Sequence, residues 1–189
     1  MATLCNTSTP YDLSYTSQRF SAETTADGYI ARFRQEARFL ELCRQCGNFG
    51  ARYGCPPFET SPLSVLAHYR TVRIVGEKLV PTVSGLPLEM AHALMSPALA
   101  DLNGYLLEEE RRLGGFALAF AGSCPYCGGA PCRRKSGESC LHPDKVRPSL
   151  EAFGFDVERT ARDMLGLEIL WGEQGKLPAY LTLVCGLFY

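Results

Sequence analysis

The pattern of apolar and polar residues predicts a chain of mixed helices and strands. From about Asp27, apolar residues recur three or four positions apart, which predicts a helix that runs to Cys43. The apolar face of this helix comprises Ile30, Phe33, Ala37 and Leu40. Three further stretches have the length and composition of strands, near residues 71–80, 116–121 and 179–189. Residues 116–121 are apolar throughout, which predicts a central strand.

Helical patterns alternate with these strands. One covers residues 87–113, where Pro97 is expected to divide it into two helices. Another covers residues 148–165, with Asp156 as the N-cap of its second part. This order predicts an α+β fold with a small mixed or antiparallel sheet. Helices are expected on one face of the sheet, in an outline similar to ferredoxin-like proteins.

The N-terminal segment differs from the rest in composition. Residues 1–25 are polar and rich in Ser and Thr, although Tyr11, Leu13 and Tyr15 alternate in a way that allows a short edge strand. We therefore divide the chain into a polar N-terminal arm, residues 1–25, and a single α+β metal-binding domain, residues 26–189.

Composition narrows the class of protein. With 189 residues, 46% of them hydrophobic, the chain is long enough for one domain with a real core. The first ten residues lack the apolar region of a signal peptide, and no apolar run has the length of a membrane span. Nine cysteines without an export signal indicate reduced thiols and metal rather than disulfides, and hence the cytoplasm.

The densest chemistry lies in the second cysteine loop, residues 124–148. Its cysteines follow the spacing C-x2-C-x4-C-x7-C and are Cys124, Cys127, Cys132 and Cys140. Thiolates select zinc, copper(I) or iron–sulfur clusters. Single cysteines staggered after one C-x2-C, with prolines nearby, are more typical of ferredoxins and favour a [4Fe–4S] cluster. Structural zinc, with His142 in place of one thiolate, and a disulfide loop are the alternatives.

The second cysteine loop is also basic. Five cations against two acids give a local balance of plus three, the cations being Arg133, Arg134, Lys135, Lys145 and Arg147. Such charges would stabilise an anionic cluster and offer a docking surface near Arg133–Lys135 to an acidic redox partner. The net charge of the chain is −1, and no other basic stripe appears, which argues against nucleic-acid binding. A membrane partner is not expected either.

The first cysteine loop, residues 43–57, contains only three thiols. Cys43, Cys46 and Cys55 form C-x2-C-x8-C-P-P, one ligand short of a four-thiolate site. A distant residue such as Cys5 or Cys185 would complete the site, or one iron of a cluster would stay open, or the thiols would be free. Cys185 itself lies in an apolar stretch, where a lone cysteine is usually a small core residue.

Three motifs together resemble those of a bacterial and archaeal family of cysteine-rich, predicted metal-binding proteins. They are C-x2-C…C-P-P from Cys43, C-x2-C…C…C-x2-P from Cys124, and R-P-S-L-E-A-F-G-F-D-V from Arg147. The resemblance implies an iron–sulfur protein without naming a reaction. It also implies seven metal-site positions, which are Cys43, Cys46, Cys55, Cys124, Cys127, Cys132 and Cys140.

Three classes of function follow from these features. The first is electron transfer by a [4Fe–4S] cluster in the second cysteine loop, with one or two clusters per chain. The second is an enzyme in which an open iron, held by the three cysteines of the first loop, acts on a small substrate. The third is a zinc-stapled interaction module. No Ser–His–Asp set, phosphate-binding glycine loop or paired carboxylates support other kinds of catalysis.

Overall fold

The computed structural model describes residues 13–122 and 124–189. A four-stranded antiparallel sheet lies at the centre, which confirms the α+β class and the antiparallel alternative. Its strands run in the order β1-β2-β4-β3. They are β1 (Tyr15–Thr25), β2 (Thr71–Pro81), β3 (Phe116–Leu118) and β4 (Leu181–Phe188).

Five α-helices and three short 3-10 helices connect the strands within these described ranges. The α-helices are α1 (Ala26–Phe33), α2 (Glu36–Arg44), α3 (Pro62–Leu66), α4 (Ala91–Leu113) and α5 (Val157–Thr160), which continues as a π-helical turn over Ala161–Leu165. The 3-10 helices are Leu88–Met90, Arg133–Ser136 and Glu151–Phe153. Asp156 caps α5 by accepting from the Arg159 amide at 2.9 Å. No helix among the described residues is long and apolar enough to cross a membrane.

Helices cover both faces of the sheet, whereas the sequence predicted one face. In β4, Val184 and Phe188 pack with α1 and the π-helical turn, while Cys185 and Leu187 pack with α4. Because successive side chains of a strand point to opposite faces, apolar residues at both parities require two layers of cover. The core therefore has two halves, one on each side of the sheet.

Two predicted details of the α4 side are wrong. Pro97 does not divide the helix, because Leu94, Ala98 and Leu102 continue one buried stripe through it and packing offsets the lost hydrogen bond. β3 is an edge strand rather than a central one, since among the described residues β4 is its only partner in the sheet. Directly after β3, the Ala119 amide donates at 2.7 Å to the carbonyl of Pro148, the last residue of the second cysteine loop.

The helix predicted from Asp27 to Cys43 is two helices separated by a tertiary contact. Between α1 and α2 the backbone turns extended and pairs with the segment before α5. The Gln35 amide donates to the Gly154 carbonyl at 2.7 Å, and the Asp156 amide donates to the Phe33 carbonyl at 2.9 Å. This break aims α2 separately and delivers Cys43 at its end toward the residues that follow the second cysteine loop.

The described part of the N-terminal segment is a strand of the sheet. β1 pairs with β2 from Tyr15–Pro81 to Thr25–Thr71, and Tyr11 of the predicted alternation lies outside the described residues. Its mostly exposed side chains suit an edge strand. Arg19 in its middle donates to the buried Glu77 of β2 at 2.8 Å.

We expect Gly114→Ala to destabilise the protein by about 1 kcal/mol, because Gly114 ends α4 with φ of 63° and an L residue is strained there. Gly104 of the same helix is the matched control. It is exposed, its φ is not in the left-handed region, and an added Cβ would meet nothing within 4 Å. Gly104→Ala should therefore stabilise by about 0.5–1 kcal/mol. Urea unfolding of both variants gives the two changes in the free energy of unfolding. Equal changes for Gly114→Ala and Gly104→Ala would contradict the assignment of Gly114 as the left-handed C-cap of α4.

Candidate metal centre

The first cysteine loop is a series of tight turns after α2. The Cys46 amide donates to the Cys43 carbonyl at 3.0 Å, and the Cys55 amide donates to the Arg52 carbonyl at 3.1 Å. The Gly50 amide closes the loop by donating to the Pro56 carbonyl at 2.8 Å. These bonds fold the thirteen-residue span from Cys43 to Cys55 back on itself, so that thiols distant in sequence become neighbours.

The second cysteine loop brings its four thiols around one small pocket. The pocket has a volume of about 20 Å³ and is lined by Cys124, Cys127, Cys132 and Cys140 together with His142 and residues of the first loop. The loop between its third and fourth cysteines is held by the 3-10 helix Arg133–Ser136, which Gly137 ends with φ of 73°. The four cysteines thus line one pocket, and their role as ligands of a common centre stays a prediction.

Backbone amides donate to three of the cysteine sulfurs. The Asn48 amide donates to Cys46 Sγ at 3.5 Å, and the His142 amide donates to Cys140 Sγ at 3.4 Å. The amide of Tyr126 interacts in the same way with the Cys124 thiol; burial raises the pKa of this thiol, and the hydrogen bond offsets part of that rise. In each case the donor lies two residues after the cysteine. Hydrogen bonds of this kind favour the thiolate form that binds metal.

Electrostatic interactions among the thiols separate them into the same two sets. Burial raises the pKa of Cys55, and the neighbouring Cys46 and Cys43 raise it further. Burial likewise raises the pKa of Cys124, with Cys127, Cys140 and Cys132 adding to the effect. The thiols of each set are therefore close enough to disfavour simultaneous ionisation unless a cation or cluster compensates for the charge.

Arg134 ties the second cysteine loop to the first. Its Nη1 donates to the carbonyls of Arg52 and Cys55, the former at 2.6 Å, and its Nη2 donates to the Pro57 carbonyl. The Tyr53 hydroxyl donates to a carbonyl of the second loop as well. The two cysteine sets are consequently neighbours in one surface region, although 69 residues separate Cys55 from Cys124.

A mostly buried ion pair anchors the end of the second cysteine loop to α4. Arg147 donates through Nε to Glu110 at 2.7 Å and through Nη2 to the other carboxylate oxygen. Both side chains are less than one-fifth exposed, at 16% and 13%. Glu110 also accepts from the Ala117 amide of β3 at 2.7 Å. One carboxylate thus joins the loop, the helix and the strand that leads into Cys124.

Glu151 is a neighbour of the first cysteine set that the sequence patterns did not single out. It begins the 3-10 helix Glu151–Phe153, and its charge raises the pKa of Cys43, after burial itself. Burial also raises the pKa of the Glu151 carboxyl. The only sequence signal was its place within the R-P-S-L-E motif, because the break between α1 and α2 that brings the segments together is a tertiary feature.

Among the described cysteines, Cys185 takes no part in either set. Cys185 is fully buried against the α4 half of the core, where its Sγ lies 3.6 Å from the Val75 carbonyl as a donor, and burial raises its pKa. Its burial in a core cluster that contains no residue of either cysteine loop argues against it as the fourth ligand of the first loop. Cys5 lies outside the described residues. The eight described cysteines are free thiols.

The described part of the chain contains no group of three or more His, Cys, Asp or Glu side chains arranged so that it could hold a metal ion. The two cysteine sets are thus gathered without the closed geometry of a single-ion site. The seven ligand positions therefore stay a prediction.

Fold and site together define a small α+β protein whose chemistry is concentrated in two adjoining cysteine loops. Residues 30–187 match the family described as "predicted metal-binding protein" (DUF2284), and the chain belongs to this family. The match confirms the resemblance seen in the sequence and makes metal binding the function that the family description gives. No curated protein and no solved structure matches the chain.

Proposed function

We propose that the second cysteine loop holds a [4Fe–4S] cluster through Cys124, Cys127, Cys132 and Cys140. The observation that carries the proposal is the pocket lined by all four thiols. The donors fit the group, because every one is sulfur and amides donate to at least two of the sulfurs, those of Cys124 and Cys140. Within the described residues, no carboxylate lines the same pocket.

A cluster suits this loop better than a single zinc ion. The four cysteines of a cubane bind four different irons, so their sulfurs need not converge on one point. Single cysteines spread along a loop meet this requirement, whereas structural zinc sites usually combine two close ligand pairs. His142 lines the same pocket. In the alternative zinc site, His142 would replace one of the four thiolates as a ligand.

For the first cysteine loop we propose a second site with an open position. Cys43, Cys46 and Cys55 interact with one another, and neither Cys185 nor another described cysteine joins them. Glu151 is the acidic neighbour of this set. A cluster held by three thiolates would leave one iron accessible to a small molecule.

The proposed role of the protein is electron transfer or redox chemistry in the cytoplasm. When bound, a cluster of this kind accepts and releases single electrons. The chain's own contribution is an exposed cationic surface formed by Arg133 and Lys135, which suits an acidic partner protein. Arg134 and Arg147 of the same loop are turned to internal contacts and serve the fold instead.

Spectroscopy of the full chain, purified without oxygen, tests this proposal. We expect broad visible absorption that bleaches on reduction with dithionite, together with the paramagnetic resonance signal of a reduced cubane. Arg133→Ala is a suitable control, since this exposed side chain should leave the spectrum unchanged. A colourless protein that contains zinc would overturn the redox proposal and favour the zinc-stapled module.

A second candidate function, catalysis on a small substrate, is favoured by one observation. Cys55 of the first loop and Cys124 of the second both line a much larger cavity beside α4. An electron-transfer protein does not need a ligand-sized space between its two cysteine sets.

A further inference from the structure

A cavity of about 420 Å³ lies between one face of α4, the end of β3 and both cysteine loops. Its volume falls in the range of small-molecule sites, which is about 300–1,000 Å³. One thiol from each set reaches it, namely Cys55 and Cys124. Its position is therefore that of a substrate site beside the candidate metal centre.

The sequence of α4 explains why the space exists. Ser96, Ala100 and Gly104 occur at intervals of four residues and so share the helix face that borders the cavity. Their small side chains leave volume that larger residues would fill. An added Cβ at Gly104 would meet nothing within 4 Å, which shows that the helix surface is open there.

The charge of the lining is positive. The cavity is bordered by Arg52, Lys145 and Arg147, while no Asp or Glu lines it within the described residues. Arg147 is neutralised by Glu110. Neither Arg52 nor Lys145 forms an ion pair in the described part of the chain; Arg52 instead donates through Nε to the neutral Asn48 side chain at 2.7 Å. Neither charge has a carboxylate partner among the described residues, so both are available to a ligand, while Arg52 also interacts with the Cys55 thiol.

The remaining lining is largely apolar. Leu99 and Leu107 of α4 face Phe120 and Val146 across the space. Such a surface favours a hydrocarbon body, whereas a polyphosphate or a sugar would leave many polar groups without partners. Apolar walls with two cations that lack a carboxylate partner among the described residues select a ligand that has one apolar part and one anionic group.

We propose that this cavity binds a small organic anion, such as a monocarboxylate with an aromatic or aliphatic body. The carboxylate is placed by Arg52 and Lys145, and the body lies against Leu99, Leu107 and Phe120. Ligand binding depends only on the lining of the cavity. Its further role as the substrate site of a redox enzyme rests on the proposed function.

Calorimetry with benzoate and hexanoate, compared with the neutral benzamide and hexanamide, tests the proposal on the full chain. We expect the acids to bind and the amides to bind at least about threefold more weakly, as expected for the loss of a partly exposed ion pair. If the amides bind as tightly as the acids, the role of the cations is wrong. If neither class binds, the proposal is overturned.

Two variants locate the binding site. Gly104→Leu should weaken benzoate binding by about tenfold or more by filling the cavity, while Ala93→Leu, exposed on α4 and outside the lining, should not. Lys145→Gln should weaken benzoate but not benzamide by about threefold, with Lys135→Gln as its control. Unchanged affinity in Gly104→Leu would place the ligand elsewhere and overturn the proposal.

Iron and sulfide are measured on the same samples. Benzoate binding by protein without iron would retain the cavity proposal and contradict the proposed function. Protein that contains the iron and sulfide of its clusters but binds neither benzoate nor hexanoate would retain the proposed function and contradict the cavity proposal. The two failures are therefore distinguishable in one set of experiments.

Discussion

Replacing Cys124 and Cys127 together with alanine is expected to remove about four iron and four sulfide atoms per chain, the content of one cubane. Both thiols line the small pocket of the second cysteine loop, and alanine offers no replacement ligand. Iron and acid-labile sulfide of the anaerobically purified variant, each expressed per chain, give the measurement. The loss should leave any metal of the first cysteine loop in place.

Cys185→Ala is the matched control for this experiment. Its thiol is fully buried in the core half beside α4 and belongs to neither cysteine set. The variant should retain the iron and sulfide content of the unsubstituted chain, even where its stability falls. If the double variant kept its full iron content, or if Cys185→Ala lost as much, the assignment of the cluster to the second loop would be wrong.

Arg147→Ala is expected to lower the free energy of unfolding by about 3 kcal/mol, the usual cost of breaking one side of a mostly buried ion pair. Glu110 would keep its charge in a site only 13% exposed, where the Ala117 amide would be its remaining donor. The second cysteine loop would lose its anchor to α4 at the same time. Urea unfolding of metal-loaded and metal-free protein would separate this effect from the stabilisation that bound metal adds.

A double-mutant cycle sharpens the test. Glu110→Gln removes the buried charge, so Arg147→Ala should cost clearly less in that background than in the unsubstituted chain. Arg133→Ala serves as the surface control, because its pair with Glu138 spans 3.6 Å and both side chains are about half exposed. We expect its effect to stay below about 0.5 kcal/mol. Equal costs for Arg147→Ala and Arg133→Ala would refute the anchoring role.

The sequence predicts the individual strands and helices better than it predicts how they are arranged. Apolar stretches located β2, β3 and β4, because period and composition are local properties. Helices cover both faces of the sheet because adjacent residues of β4, Val184 and Cys185, are both buried. Strand order and the number of layers depend on contacts between residues that are distant in sequence. The predicted break of the helix at Pro97 is wrong for a related reason, because the packing of α4 outweighs the local preference of proline to break a helix.

The candidate site divides in a similar way. Cysteine spacing within the second loop predicts one centre for its four thiols. All four cysteines line one small pocket, while their role as ligands stays a prediction. The sequence does not predict that Arg134 joins the two loops. Its pattern instead groups Arg134 with its basic neighbours in an exposed surface. The sequence does not predict the cavity beside α4 either, because Gly104 and Cys55 line the same space only in the folded chain.

The most direct test of the central claim is the iron, acid-labile sulfide and zinc content of the full chain purified without oxygen. The account predicts sulfide equal to iron, at about four atoms per chain for the second loop alone and about eight if the first loop also holds a cluster. About one zinc per chain without sulfide would contradict it and leave a zinc-stapled module in its place.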